Sequence, residues 1–244
     1  MRESCVIFRR ELKSYFFSPI AYVFGVLFLG VLLFGAAMGS LVDGTSASMQ
    51  AFFGWLPVVL LGFVPALTMR SWAEERKMGT IELLMTFPVR VSSLVTGKFL
   101  AAVVYLGFVL VLTLGLPLTL GAYGRLDWPP VIGAYVASLL FAGSFVAVGM
   151  FFSSLTRDQI IAMLISLVVL AVLFAIGVPV LVALLVDWMP AWGVDLITGI
   201  SPYKYFQSIA RGALDTRDIV YFACFCGFFL YCNALVLHYR RHKG

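Results

Sequence analysis

The sequence predicts an all-α integral membrane protein of six transmembrane helices, and three observations predict it. Its 244 residues are 62% apolar and only 12% charged, against roughly 45–50% and about 25% in a soluble globular domain. The 17 basic and 12 acidic residues all lie outside six stretches, 20–42, 51–69, 99–124, 128–156, 159–186 and 219–237. Each stretch has the roughly 17–25 residues that a helix needs to cross the hydrocarbon layer. None alternates with the period of a barrel strand, so only helices can satisfy their own backbone hydrogen bonds in lipid. The spans are expected at approximately 20–42, 51–69, 98–121, 130–153, 159–186 and 218–238 of a single membrane domain, 1–244, with no room for a soluble catalytic domain.

Ahead of the first span, residues 5–17 are amphipathic. At about 100° per residue, Phe8, Leu12, Tyr15 and Phe16 share one side, and Arg9, Arg10, Lys13 and Ser14 occupy the other. This pattern suits a helix in the headgroup plane with its basic face toward anionic membrane lipid. Ser18-Pro19 separates it from the span, because a residue before proline avoids the α region. The apolar run Ile20 to Val42 has 23 residues, too many for the h-region of a cleaved signal peptide, about 7–15 residues.

Six spans put both termini on one side of the membrane. Thirteen of the 17 Lys and Arg residues fall on that side, leaving only Arg125, Lys204, Arg211 and Arg217 on the other. Both termini are therefore expected in the cytoplasm. The net charge of +5 is mostly this topology signal; basic residues hugging membrane boundaries without a groove-reading motif exclude a nucleic-acid partner.

The most charged cytoplasmic segment joins spans two and three and reads as two short helices. Residues 71–78 are good helix formers, and Gly79 can take the left-handed position that ends a helix. Thr80 can cap a second helix with Glu82 in its first turn, and Pro88 stops it. Ile81, Leu84 and Met85 then form an apolar ridge beside Glu74, Glu75, Arg76 and Lys77. Such a knob suits docking in a groove of another protein and is poorly suited to holding a small molecule alone.

Residues 187–217 are long for an unstructured connection. Trp188, Pro190 and Trp192 suit a membrane interface. Ser201 as cap and Pro202 at the first helical position start a short helix, with Tyr203, Phe206, Ile209 and Ala210 on one side and Gly212 at its end. No charged residue lies in the interior of a span, which argues against a proton-coupled transporter. Ser144 and Ser166 have no Asp or His at depth, which argues against an intramembrane protease. Pro57, Pro65, Pro117 and Pro179 are expected to kink helices, and Gly35 with Gly39 offers a small-xxx-small packing face. Cys5, Cys224, Cys226 and Cys232 are too few for a disulfide framework, and no metal or catalytic residue is assigned.

Three motifs carry a resemblance. The run Glu74-Glu75-Arg76-Lys77-x-Gly79-Thr80-x-Glu82-Leu83-Leu84-x-x-x-Pro88, followed by Gly97-Lys98, resembles the coupling-helix signature of ABC-2 type transporter permeases. Arg10-Glu11-Leu12-Lys13-Ser14-Tyr15-Phe16-x-Ser18-Pro19 and Ser201-Pro202-x-x-x-Phe206-x-Ser208-Ile209-x-Arg211-Gly212-x-x-Asp215-x-Arg217-Asp218 are similar to segments of the same group. Within it the chain looks most like the small six-span permeases of the gliding-motility-associated type, related to those of nitrous-oxide-reductase maturation.

The resemblance implies a fold of six spans with an N-terminal elbow helix at 5–17, a cytoplasmic coupling helix in 71–88 and short extracytoplasmic re-entrant helices before the last span. It implies an ATPase-coupling set of Trp72, Glu74, Glu75, Arg76, Lys77, Gly79, Thr80, Glu82, Leu83 and Pro88. It also implies a membrane-surface set of Phe8, Arg9, Arg10, Leu12 and Lys13, and an outer-gate set of Ser201, Pro202, Phe206, Arg211 and Gly212. The partners would be two ABC ATPase subunits and a second permease copy or a related chain, in a bacterial inner membrane. A periplasmic auxiliary subunit is compatible with this arrangement. The chain has no Walker A sequence, so ATP and magnesium would belong to the separate ATPase and this chain would not itself be an enzyme. The leading function is the permease of an ABC exporter. The alternative is an ATP-driven mechanical or scaffolding subunit that acts on a periplasmic partner and moves no substrate.

Overall fold

In the computed structural model, residues 2–42, 49–80, 90–123, 127–186, 190–212 and 215–241 are described. All regular structure among them is helical. The elements are α1 (Arg2–Phe17), α2 (Pro19–Val42), α3 (Met49–Thr68), α4 (Arg70–Lys77), α5 (Val91–Leu112), α6 (Gly115–Tyr123), α7 (Trp128–Leu155), α8 (Gln159–Ala175), α9 (Pro179–Val186), α10 (Ala191–Ile200), α11 (Pro202–Ala210) and α12 (Thr216–Arg241).

Helix α7 is the core. Every residue from Phe141 to Met150 is buried, and α7 packs against α3, α4, α5, α8, α11 and α12. Its small residues permit this crowding: a Cβ on Gly149 would overlap the Thr68 hydroxyl of α3, so a larger residue there would push the two helices apart. By contrast α12, equally apolar in sequence, is mostly exposed, as a helix facing lipid or another subunit should be.

Among the described residues, five helices are long and apolar enough to cross a membrane: Ala21–Met38, Met49–Lys77, Val91–Ala122, Trp128–Leu155 and Thr216–Tyr239. The expected continuous span at 159–186 is instead divided into α8, of 17 residues, and α9, of eight. Pro179 explains the division, since it lacks an N–H and disfavours the α conformation at Val178. Gly177 at the break is buried, and a Cβ there would overlap the Ser201 side chain. Pro117 acts more gently: the chain turns at Thr113–Leu114 and resumes as α6.

Helix α1 extends from Arg2, three residues earlier than the amphipathic pattern indicated, and stops at Phe17. Ser18 separates it from α2, which starts on Pro19. Its apolar side does not face lipid alone but lies along α5. Contact is close at Gly97, where a Cβ would come within 2.9 Å of Ile7 and 3.2 Å of the Ser4 carbonyl. Tyr15 stacks on Tyr105 at 5.4 Å, and Phe16 meets Phe108 edge-on at 5.1 Å. Phe8 and Leu12 are half-buried, whereas Arg9, Arg10 and Lys13 are exposed. The two faces thus follow the helical period of the sequence.

Candidate functional site

Helix α4 continues α3 through Met69, whose φ of −55° and ψ of −31° are helical, and a serine from α7 inserts into the hydrogen-bond ladder there. The Ser153 hydroxyl donates to the Met69 carbonyl at 3.0 Å and accepts from the Trp72 and Ala73 amides at 3.1 and 3.2 Å. A side chain inserted into a helical ladder is a recognised cause of bending. Pro65, one turn earlier, has already removed an amide donor.

The far end of α4 is fixed by Arg76. Its guanidinium donates to the Ser154 and Thr156 carbonyls at 3.0 and 2.8 Å, satisfying acceptors at the C-terminus of α7 with a cation that suits the dipole there. Gly79 then takes a positive φ of 70°, the left-handed ending expected from the sequence. The Thr80 hydroxyl donates back to the Glu75 carbonyl at 3.2 Å, so it closes α4. The second helix, with Glu82, Leu83 and Pro88, lies outside the described residues.

Lys98, in the first turns of α5, joins three elements. Its ammonium is 3.1 Å from Glu11 Oε1 on α1 and 2.8 Å from Glu75 Oε1 on α4. It also lies 5.0 Å from the Trp72 ring centroid, within cation–π range. Lys98 is only 6% exposed, and Trp72 is fully buried. A charge so deeply placed persists only with partners, and two carboxylates and an aromatic face supply them. Nearby, burial and the Glu11 charge hold the Tyr15 phenol above the usual tyrosine range, partly offset by the Ser71 hydroxyl.

Of the residues expected to couple to a partner, Trp72, Glu75 and Arg76 thus face inward and hold α4, while Lys77, Met78 and Gly79 form its exposed tip. Glu74 is half-buried and lines a cleft of about 530 Å³ beneath α1. Sequence reasoning quoted Glu11 and Lys98 within the motifs of the resemblance without giving either a contact, and it passed over Ser153. Lys98 did carry a signal, a lone cation at the edge of a charge-free stretch; Ser153 carried none that distinguishes it from neighbouring serines.

The expected outer-gate residues gather toward the other end of α7. Ser201 caps α11 through the Tyr203 amide at 3.3 Å, and its hydroxyl donates to the Leu173 carbonyl of α8 at 2.7 Å. Pro202 opens α11, Phe206 packs on Phe141 at 5.3 Å, and Gly212 ends the turn with φ 90°. Arg211 is exposed and lines a second cleft, of about 430 Å³, with Gln50 and Pro130.

Residues 45–210 match the family described as ABC-2 family transporter protein. The match takes in α4, Lys98, Ser153 and α11 and leaves out α1 and α12. No curated protein matches the chain.

Proposed function

The chain belongs to the ABC-2 transporter family and is a multi-pass membrane permease subunit; from that premise we propose that it couples to a separate ABC ATPase through residues 71–88. Two ATPase copies would bind beneath a pair of permeases, either two copies of this chain or this chain with a related one, with ATP and magnesium held by the ATPase. Export is the proposed direction, with an amphipathic or lipid-linked substrate moving along the seam between permeases. A bacterial inner membrane is the proposed location.

One observation carries this reading. The exposed tip Lys77–Gly79 ends a helix tied to α5 and α1 through Lys98 and to the buried α7 through Ser153 and Arg76. A force on the tip would pass into the core rather than dissipate in a loop, as a coupling element requires. The Lys and Arg distribution supports placing this end, with both termini, in the cytoplasm. That topology needs six crossings, the fifth made by α8 and α9 together. Contacts at the two ends of α8 support it: Arg76 binds the Thr156 carbonyl just before α8, and Ser201 binds Leu173 in its last turn. The gliding-motility-associated subfamily remains the proposed affiliation within the family, with an auxiliary subunit compatible.

The test is to purify the permease with its cognate ATPase and compare ATP hydrolysis and ATP-dependent substrate accumulation in vesicles with those of Arg76→Ala. Loss of accumulation with residual, unregulated ATP hydrolysis is expected. Full coupling in the variant would overturn the assignment of 71–88. Coupled hydrolysis in wild type with no accumulation of any candidate amphiphile would favour the mechanical alternative.

A further inference from the structure

The cleft beneath α1 carries charged residues of both signs in its lining. Arg10, Arg70 and Lys98 line it on the basic side and Glu11, Glu74 and Glu75 on the acidic side. Lys98 already has partners, but two buried atoms of opposite character do not: Arg70 Nε, a donor, and Glu75 Oε2, an acceptor. Buried polar atoms left without a partner are costly even where the rest of the group is paired, as the Glu75 carboxylate is by Lys98, so a ligand that presents both an anion and a hydrogen-bonding cation would supply the two missing partners.

The cleft adjoins a second, apolar one. A groove of about 180 Å³ runs between α2 and α5, lined by Gly25, Val26, Leu29, Phe108 and Leu112 among others. The two cavities share Tyr15 and Ala21, and the Tyr105 hydroxyl donates to the Ala21 carbonyl at their junction, at 2.6 Å. The junction lies where the first apolar span begins, at Ala21. A charged compartment beside an apolar one at this depth matches a phospholipid.

We propose that the cleft and groove bind a phospholipid of the phosphatidylethanolamine class, with its phosphate at Arg70, its ammonium at Glu75 and an acyl chain in the groove. The chemistry separates it from other lipids. A quaternary ammonium has no N–H for Glu75 Oε2, whereas a primary ammonium has three. A net-anionic headgroup without an ammonium would leave Glu75 Oε2 without a charged donor. The inference requires only that the chain sits in a membrane and does not depend on coupling to an ATPase.

Native mass spectrometry of the purified protein, equilibrated with equal amounts of dioleoyl phosphatidylethanolamine, phosphatidylcholine and phosphatidylglycerol, tests it. Phosphatidylethanolamine should be retained about tenfold over either competitor, the value of one charge-assisted hydrogen bond. Equal retention of the three lipids, or preference for phosphatidylglycerol, would overturn the proposal without any variant. Arg70→Gln should lower phosphatidylethanolamine retention about tenfold, and unchanged retention would count equally against the site. Displacement of the lipid by an equimolar amount of soluble glycerophosphoethanolamine would show that the groove contributes nothing and that the ligand is a soluble phosphoethanolamine; resistance to it supports a membrane lipid.

Discussion

Lys98 Nζ lies 2.8 Å from Glu75 Oε1, across 23 residues of chain and between two helices that share no backbone hydrogen bond. With Glu11 on the other side of the ammonium, the pair fastens α1 and α4 to the start of α5. Removing the cation would leave two facing carboxylates in a half-buried site. Lys98→Met should therefore destabilise the protein by about 3 kcal/mol, in the range for breaking a buried pair from one side. Glu11→Gln combined with Glu75→Gln in the Lys98→Met background should recover part of this, because neutral amides no longer repel. Thermal unfolding in mild detergent measures both, and additive losses across the set would refute a shared ion cluster.

Gly97 precedes this lysine and serves another purpose. A Cβ there would meet Ile7 at 2.9 Å, tighter than side chains tolerate without movement. Gly97→Ala should cost about 1–3 kcal/mol, as overpacking does, and should loosen α1 so that protease cuts the N-terminal segment sooner. Ile7→Ala should restore much of the lost protection by clearing the nearest obstruction. If the double variant is no better than Gly97→Ala, the Ser4 carbonyl rather than Ile7 sets the approach.

What was legible in the sequence followed periodicity and local backbone rules. The polar and apolar faces of α1, the break at Ser18-Pro19, the left-handed endings at Gly79 and Gly212 and the Ser201 cap all depend on neighbours within one turn. The prominence of α7 depended instead on which apolar helix the others surround, and composition alone does not rank equally apolar spans. Ser153 was hidden for the same reason: its three hydrogen bonds reach about 80 residues back along the chain. The division at 159–186 was half legible. Pro179 was marked as a kink, but the Gly177 approach to Ser201 that turns a kink into a break is a tertiary contact.

Tyr15 should make the packing of α1 sensitive to alkali. Its phenol is held above the ordinary tyrosine value of about 10, so the folded chain keeps a proton that the unfolded chain has released. The associated stability is intact below pH about 10 and declines as pH rises toward the folded-state value, because unfolding then releases a proton. Between pH 9 and 11 the melting temperature of wild type should fall more steeply than that of Tyr15→Phe, which cannot ionise there. Parallel slopes in the two proteins would mean that Tyr15 is exposed to solvent.

Gly79 allows a conformational effect to be separated from a contact effect at the tip of α4. Its φ is 70°, and among the described residues a Cβ built on it would meet nothing within 4 Å. The cost of Gly79→Ala is then backbone strain alone, about 1–2 kcal/mol for a residue with a Cβ in the left-handed region. Asparagine tolerates that region better, so Gly79→Asn should lose less than Gly79→Ala although its side chain is larger. The same order should appear in coupled ATP hydrolysis with the partner ATPase, because the strain falls where the chain leaves α4 for the segment proposed to dock. Were asparagine the more damaging substitution, the tip would be in contact with a partner surface that excludes side-chain volume, and its glycine would be required for fit rather than for φ.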